Sequence, residues 1–443
     1  MRWWLSLSTS LAFIRFGLWL TLGTAGFSLA LTAVVGQWMP HSRFFQRDNA
    51  ALRRDESARM AESLQLIDSL IAAAWRPPTS QSLHTEICIA VSSGRARRHR
   101  YVMRTVATLL REWIESPDDV RDRIQLRVLA PPADALLHDD PVPLHHRDYD
   151  KLREIVPVDQ EDTATPWFSS EELRRELDAY TEFKRNHSRF LGEATLAAAV
   201  ERRRGKLPYW SEEIGNYVRA LEACLMRSEY TLVVEDDAVA ARDTPALLVD
   251  IVRQLEAMWT ARDASRDWAW VKLFHTDRFD GWTRAHLHTL AALVGVPSVF
   301  AGFAARRFCR CTRAFSALIA GQVALALLIV LLGLGRQTFF ASTQPMGLSP
   351  TKVKCCIPAQ LYNNRVVPHI IAFLRQPPYI DPIDLLLDAF ALNYANFTQY
   401  WYRPHLFQHI GRYATFSGKN QGRWSDMVVS NAFRGERDRA DDA

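Results

Sequence analysis

Apolar and polar residues follow two spacings in the middle of the chain, and together they predict an α/β protein. Short apolar runs typical of buried strands occur at residues 86–92 and 124–129. Between them, after a break at residues 92–94, residues 101–113 carry apolar side chains at helical spacing. A strand, a helix and a second strand in this order begin a doubly wound sheet.

The same spacings predict the other elements. Residues 131–166 are rich in proline, aspartate and histidine, so they predict a long loop. A helix opens at Pro245, because proline is tolerated in a first helical turn. The remaining predictions are helices at 171–185, 210–226, 245–261 and 383–397 and extended segments at 231–234, 268–274, 355–360 and 406–410.

Three longer apolar stretches predict membrane-spanning helices. Residues 11–35 contain one full charge, Arg15, and exceed the roughly 20 residues that cross a bilayer. Because the apolar region of a cleaved signal peptide has only about 7–15 residues, this stretch predicts an uncleaved signal anchor. Residues 287–305 and 317–334 form the other two stretches, for which a pair of buried core helices is the alternative.

Arginines predict the orientation of these helices, because short loops rich in lysine and arginine stay in the cytoplasm. The loop between the last two stretches therefore predicts a hairpin that turns in the cytoplasm, with the bulk of the chain in the lumen. Arginines just after the first stretch oppose this orientation for the anchor taken alone. The loop contains Arg306, Arg307, Arg310 and Arg313, and the opposing residues are Arg43, Arg47, Arg53 and Arg54.

Charge and cysteine content narrow the function classes. A net charge of +5 over 443 residues is too balanced to indicate a nucleic-acid-binding protein.

Two acceptor triplets for N-glycosylation, at Asn186 and Asn396, fit a lumenal location for most of the chain. Four cysteines would be lumenal and able to oxidise, but their pairing cannot be read from the sequence. These are Cys88, Cys224, Cys355 and Cys356, whereas Cys309 and Cys311 lie in the arginine-rich loop, where they would stay reduced or accept palmitate.

One predicted strand, residues 231–234, runs directly into Glu235, Asp236 and Asp237. Ligands of open α/β sheets bind beyond the carboxyl ends of strands. Three adjacent carboxylates repel one another unless a cation lies between them, and hard oxygen ligands suit Mg²⁺ or Mn²⁺ bridging a diphosphate. A strand that ends in a solvated acidic turn is the alternative.

Several short motifs resemble a known family in their order along the chain. With a membrane hairpin between the second and third motifs, residues 86–416 are similar to the Golgi transferases that add N-acetylgalactosamine (GalNAc) to glycosylphosphatidylinositol (GPI) anchors. The last motif is also similar to branching N-acetylglucosaminyltransferases of N-glycans. The motifs are VEDDA at 234–238, WVKLF at 270–274 and LFQHIG at 406–411.

The resemblance implies a GT-A glycosyltransferase fold in a multi-pass Golgi membrane protein with a lumenal catalytic region. It implies transfer of GalNAc from UDP-GalNAc to a mannose of the GPI glycan, assisted by Mn²⁺ or Mg²⁺. An N-glycan or glycolipid acceptor is one alternative, and a non-catalytic membrane protein that binds glycans or escorts cargo is another. The predicted segments are a cytoplasmic N-terminus (1–10), a transmembrane anchor (11–35), a lumenal stem (36–85), the first catalytic part (86–284), a transmembrane hairpin (285–336), the second catalytic part (337–418) and a mobile tail (419–443).

The resemblance maps the family's three-acid motif onto Glu235, Asp236 and Asp237. We expect Asp237 to bind the metal directly, and Glu235 and Asp236 to hold the ribose or metal-bound water. Glu235 is also counted among the metal-binding and catalytic residues. His409 is expected to complete the metal or diphosphate site, because imidazole binds metals and, when charged, phosphate. A core or surface histidine is the alternative.

The end of the first strand is expected to bind the donor. Val91, Ser92 and Ser93 would hold the uracil and ribose through backbone and hydroxyl groups, with ordinary turn chemistry as the alternative. A general base is required if the reaction inverts the anomeric centre. We expect Asp384 in this role, with a helix N-terminal cap as the favoured alternative for it and either role open for Asp381.

Overall fold

The structure, a computed structural model, describes most of the chain with its side chains. The described residues are 18–34, 49–75, 85–92, 101–130, 144–160, 167–187, 193–261, 267–274, 286–308, 310, 312–334, 346–351, 357–376, 379–394 and 397–410.

The described residues alternate between strands and helices along most of the chain. The strands are β1 (Thr85–Ser92), β2 (Ile124–Ala130), β3 (Val158–Gln160), β4 (Ser228–Glu235), β5 (Ala238–Ala240), β6 (Trp268–Lys272), β7 (Gly347–Pro350), β8 (Ala359–Asn363), β9 (Thr398–Arg403) and β10 (Phe407–His409). The helices are α1 (Leu18–Val34), α2 (Asn49–Ala72), α3 (Tyr101–Glu115), α4 (Asp118–Arg121), α5 (Leu144–Arg153), α6 (Ser170–His187), α7 (Glu193–Arg204), α8 (Leu207–Leu225), α9 (Thr244–Ala261), α10 (Leu287–Phe308), α11 (Arg313–Leu334), α12 (Val367–Arg375) and α13 (Ile383–Asn393).

Eight strands form one mixed sheet in the order β3-β2-β1-β4-β8-β6-β9-β7, and β5 pairs separately with β10. The strand β1 is parallel to β2 and β4, whereas β8 runs antiparallel between β4 and β6. Because β8 is antiparallel to both of its neighbours, β4 and β6 run in the same direction. The carboxyl ends of β1, β4 and β6 therefore meet at one edge, which is where α/β sheets bind ligands.

Side chains of the central strands enter two separate cores, because successive residues of a strand point to opposite faces. From β4, Leu232 and Val234 pack on the face that contacts α3 and α9, whereas Val233 packs on the face that contacts α8, α12 and α13. All three are fully buried. Burial on both faces explains why the strand appears in the sequence as a continuous apolar run.

A disulfide joins the sheet to the helix α8. Cys88 of β1 and Cys224 at the end of α8 are fully buried and bonded to each other, with their Cα atoms 5.5 Å apart. The structure thus supplies the pairing that the sequence left open. Cys309, Cys311, Cys355 and Cys356 lie outside the described residues.

The chain divides into two compact units, of which the first contains α1, α10 and α11. Both α10 and α11 are long and apolar enough to cross a membrane, and only 6% and 17% of their most apolar windows is buried. This exposure argues against the alternative of two core helices. Within the unit, the Gln322 amide donates a hydrogen bond of 2.7 Å to the Thr21 hydroxyl of α1. A side chain at Gly302 would meet Ala320 and the Ser316 carbonyl oxygen at 3.1 Å, so α10 and α11 pack closely there.

The second unit contains the sheet and its helices, and most of the elements predicted for it are confirmed. The predicted loop at 131–166 is wrong in its described part, because residues 144–160 contain α5 and β3. The helix predicted at 383–397 ends at Asn393, and a strand, β9, follows from Thr398. The predicted strand at 355–360 instead begins at Ala359, and residues 352–356 lie outside the described part.

Candidate active site

The strand β4 ends in the acidic motif, and a tight turn follows. Glu235 is the last residue of β4, Asp236 and Asp237 form the turn, and β5 begins at Ala238. Both aspartates are only 2% exposed, whereas Glu235 is half-buried. The alternative of a solvated acidic turn is therefore wrong for the two aspartates.

Backbone hydrogen bonds from three directions fix this turn. The Asp236 N–H donates to the Ser92 carbonyl at 3.1 Å, and the Glu235 N–H donates to the Pro358 carbonyl at 2.8 Å. The Asp236 carbonyl accepts a hydrogen bond of 2.7 Å from the Thr105 hydroxyl of α3. The ends of β1 and β4, the start of β8 and the helix α3 are thus held together beneath the acids.

His409 reaches the acids because β10 pairs with β5. His409 is in register with Ala238, one residue beyond Asp237. Its Nε2 atom lies 3.1 Å from Oδ2 of Asp237, and the Ile410 N–H donates to the Asp237 carbonyl at 2.7 Å. The Phe274 ring lies 6.2 Å from the imidazole, centroid to centroid. The structure therefore brings together two residues that are 172 positions apart in the chain, 409 minus 237.

Glu235, Asp237 and His409 form a group that can hold a metal ion, since one ligand atom from each lies within 4.8 Å of the others. Two carboxylates and an imidazole supply hard oxygen and borderline nitrogen ligands. This set suits a divalent cation that keeps further positions for water or phosphate. Asp236 is not in the group, and its backbone bonds connect it to Ser92 and Thr105.

The predicted donor residues of β1 lie beside the acids. Ser92 is in register with Glu235, and its carbonyl already accepts the hydrogen bond from Asp236. Val91 is fully buried in the core, where it lies in register between Val128 of β2 and Val234 of β4. Ser93 lies outside the described residues.

Asp384 is in the first turn of α13, but it does not cap the helix. The cap position belongs to Pro382, and Asp384 accepts a hydrogen bond from the Leu385 N–H next to it. The favoured alternative from the sequence, a cap, is thus wrong. A carboxylate in a first turn still benefits from the helix dipole.

Asp381 has a structural partner. Its carboxylate lies 2.9 Å from Arg203, whose guanidinium also pairs with Glu176 and lies 4.4 Å from the Tyr180 ring centre. The Arg203 side chain is only 10% exposed. This contact ties the segment before α13 to α6 and α7, which favours a supporting role for Asp381.

The sequence patterns did not predict a set of buried polar side chains on the sheet face that carries Glu235. Tyr217 of α8 and Tyr362 of β8 share a hydrogen bond between their hydroxyls, and both are buried. Burial raises the pKa of Tyr217, and the Glu235 charge adds to the rise, so both tyrosines stay protonated. Lys272, at the end of β6, is also buried on this face. A lysine in the otherwise apolar motif WVKLF is the sequence signal that could have indicated it.

The protein is thus a mixed α/β protein with a group of side chains at the carboxyl edge of its sheet that could hold a metal ion. The chain belongs to the GPI-N-acetylgalactosamine transferase PGAP4 family, whose model matches residues 87–408. This range contains the acidic motif and both hairpin helices, and it ends one residue before His409. A search of curated proteins found no match to the chain.

Proposed function

We propose that this protein transfers GalNAc from UDP-GalNAc to a mannose of the GPI glycan, with a GT-A catalytic unit. The observation that carries the proposal is the group of Glu235, Asp237 and His409 at the carboxyl edge of the sheet, within a chain of the PGAP4 family. A glycosyltransferase of this kind needs a place for a nucleotide diphosphate, and we assign that place to this edge, where α/β sheets bind ligands.

The acids would hold a divalent cation, with Mn²⁺ preferred because His409 adds a nitrogen ligand. A bound cation supplies Lewis-acid stabilisation of the charge that develops on the diphosphate leaving group. In this proposal Asp237 and His409 bind the cation directly, and Glu235 acts as a third ligand or through bound water. Asp236, whose backbone is fixed by Ser92 and Thr105, contributes to the ribose site.

The donor and acceptor would approach from different strands. Ser92, at the end of β1, is in register with Glu235. The segment of Val91, Ser92 and Ser93 is proposed to hold the uracil and ribose. The acceptor hydroxyl would approach from the side of α13, where Asp384 is proposed as the general base. That assignment assumes inversion at the anomeric centre, because a single displacement requires a base for the acceptor proton.

The proposed setting is the Golgi membrane, with the catalytic unit in the lumen. The buried disulfide between Cys88 and Cys224 supports an oxidising compartment. Two helices suited to a membrane support a site held at the bilayer, where a lipid-linked acceptor also resides. Tethering both to one surface raises the effective concentration of the acceptor.

Mass spectrometry of GPI glycans tests this proposal. Cells lacking the activity would receive the wild type, Asp237→Asn or Asp250→Asn, the last being an exposed aspartate of α9 as a matched control. We expect an N-acetylhexosamine branch on a GPI mannose with the wild type and the control, and none with Asp237→Asn. A wild-type protein that adds its sugar to N-glycans or glycolipids instead would establish an alternative acceptor. A branch that persists in Asp237→Asn at the wild-type level would contradict the proposed metal site.

A further inference from the structure

A lysine is buried at the carboxyl end of β6, in a place where charge is costly. Lys272 is 4% exposed, and its backbone is in register with Gln360 of β8 and Trp401 of β9. Burial lowers the pKa of Lys272, whereas the charges of Asp388 and Asp384 raise it. An ammonium group leaves water at this cost only where nearby anions compensate it.

The two anions come from one face of α13. Asp384 and Asp388 are four residues apart, so they are neighbours on the helix surface, and like charges at this spacing repel. The charges of both aspartates act on Lys272, so a positive charge on Lys272 offsets their mutual repulsion. Oδ2 of Asp388 is buried although the residue as a whole is half-buried, so other atoms of Asp388 are accessible. Asp388 also acts on Tyr379 in the segment before α13 and raises its pKa, after the larger effects of burial and Asp381.

A buried amide beside Lys272 has unused hydrogen-bonding capacity. Gln360 is fully buried, and it lies between Val233 and Lys272 in the sheet. Within the part of the chain that the structure describes, its carboxamide makes no hydrogen bond of standard geometry, although it lies close enough to the Tyr362 hydroxyl to oppose the rise in the pKa of that group. Buried amides are almost always paired, so this one points to a partner that binds from outside the chain.

We propose that Lys272, Asp388 and Gln360 form a subsite for hydroxyl groups of the acceptor sugar, in which Lys272 is a positioning residue for Asp388 and Asp384. This inference rests on the proposed glycosyltransferase function and specifies how its acceptor is held. A hexose offers adjacent hydroxyls that donate to carboxylates and exchange hydrogen bonds with an amide. The subsite faces the same side of the sheet as Glu235, two strands from β4, and strands lie about 4.8 Å apart.

The residues of the subsite would act together in the transfer. The acceptor oxygen forms a bond to the anomeric carbon of the donor while the bond from that carbon to the diphosphate breaks, and its electron pair leaves on the diphosphate. The proton of the acceptor hydroxyl passes to Asp384. Asp388 and Gln360 bind neighbouring hydroxyls, and Lys272 keeps the two aspartates ionised and correctly oriented.

Kinetics with two substrates separate this subsite from the metal site. We expect Asp388→Asn and Gln360→Met to lower kcat/KM for a mannose-containing acceptor about 100-fold and 10-fold. Both should hydrolyse UDP-GalNAc in the absence of acceptor within twofold of the wild type. The control Asp250→Asn should match the wild type in both assays. Thermal unfolding of Gln360→Met should occur at or above the wild-type temperature, because the substitution removes a buried polar group without a standard hydrogen bond.

Lys272 is tested by rescue. We expect Lys272→Met to raise the acceptor KM at least 10-fold, and Lys272→Arg to restore part of that loss, because the arginine keeps the positive charge. A lysine needed only for folding would lower donor hydrolysis and acceptor transfer equally. Such an equal loss, reproduced in Asp388→Asn, would overturn the proposal.

A binding measurement keeps the proposal falsifiable if the proposed reaction fails. Saturation-transfer NMR with mannotriose, on the full chain in detergent, should show contact with the wild type and at least a 10-fold weaker signal with Gln360→Met. Equal signals from both would overturn the subsite. A lost signal together with no transfer from UDP-GalNAc by the wild type would support the subsite and reject the proposed reaction instead.

Discussion

The strands β4 and β6 end in buried charges at the same edge of the sheet, but their charges are balanced differently. At the end of β4 and in the turn after it, Glu235 and Asp237 have ligand atoms within 4.8 Å of each other and of His409. At the end of β6, the charge of Lys272 interacts with the charges of the two aspartates of α13. The end of β4 brings together carboxylates that could hold a metal ion. The end of β6 has a positively charged side chain of its own, Lys272.

This difference indicates which part of the proposed site would require a metal. At a separation of 4.8 Å or less, two carboxylates repel by at least about 3–4 kcal/mol if the effective dielectric constant is about 20. A divalent cation converts that repulsion into binding. The end of β6 needs no such ion, because Lys272 already compensates one of its two carboxylates. Variants at the two ends should therefore differ in their response to Mn²⁺.

Removing a metal-binding carboxylate should have the largest effect. We expect purified Asp237→Asn to lose about 1,000-fold in turnover, equivalent to about 4 kcal/mol of transition-state stabilisation. The loss should persist at high Mn²⁺ concentration, because the amide replaces a charged ligand in a buried position. Turnover within tenfold of the wild type, measured as UDP release, would mean that Asp237 is not a ligand that matters for catalysis.

Removing the histidine should have an intermediate effect that metal can reverse. We expect His409→Ala to raise the Mn²⁺ concentration for half-maximal activity about 10–100-fold, which corresponds to about 1.4–2.7 kcal/mol of binding energy. Excess Mn²⁺ should restore most of the maximal rate, since both carboxylates remain. An unchanged Mn²⁺ requirement would assign His409 to the diphosphate or to packing against Phe274 instead.

Changing Asp381, in the segment before α13, should have the smallest effect on catalysis. Asp381→Asn removes one of the two anions that Arg203 contacts, so we expect a stability loss of about 1–3 kcal/mol in thermal unfolding. The acceptor kcat/KM should stay within about twofold at a temperature where the variant is folded. A large kinetic loss without a stability loss would move the acceptor role from Asp388 and Asp384 to Asp381.

The sequence predicted the central strands because burial on both faces leaves a continuous apolar run, as in β1 and β4. It also predicted the two hairpin helices, whose apolar composition is strong. It missed β5 and β7, because three and four residues are too few to show a period, and it missed β9, because its mixed polar and aromatic residues show no clear alternation. The helix α12 was missed as well.

The site was predicted only in part, for a physical reason. Glu235, Asp236 and Asp237 are consecutive residues at the end of a predicted strand, so the sequence alone indicated them as candidate site residues. His409 was found through the family resemblance, because its contact with Asp237 depends on the pairing of β10 with β5. Lys272, Gln360 and Asp388 come from three separate elements. No local sequence pattern could predict that folding places these three residues on the same face of the sheet.

Binding of Mn²⁺ in the presence of UDP is the most direct test of the account. Free Mn²⁺ would be measured by electron paramagnetic resonance while it is titrated into the purified full chain, its Asp237→Asn variant and its Asp388→Asn variant. The account predicts one bound ion per chain for the wild type and Asp388→Asn, and at least a 100-fold weaker affinity for Asp237→Asn. Equal binding by all three proteins would contradict the assignment of the acids beyond β4 as the metal site.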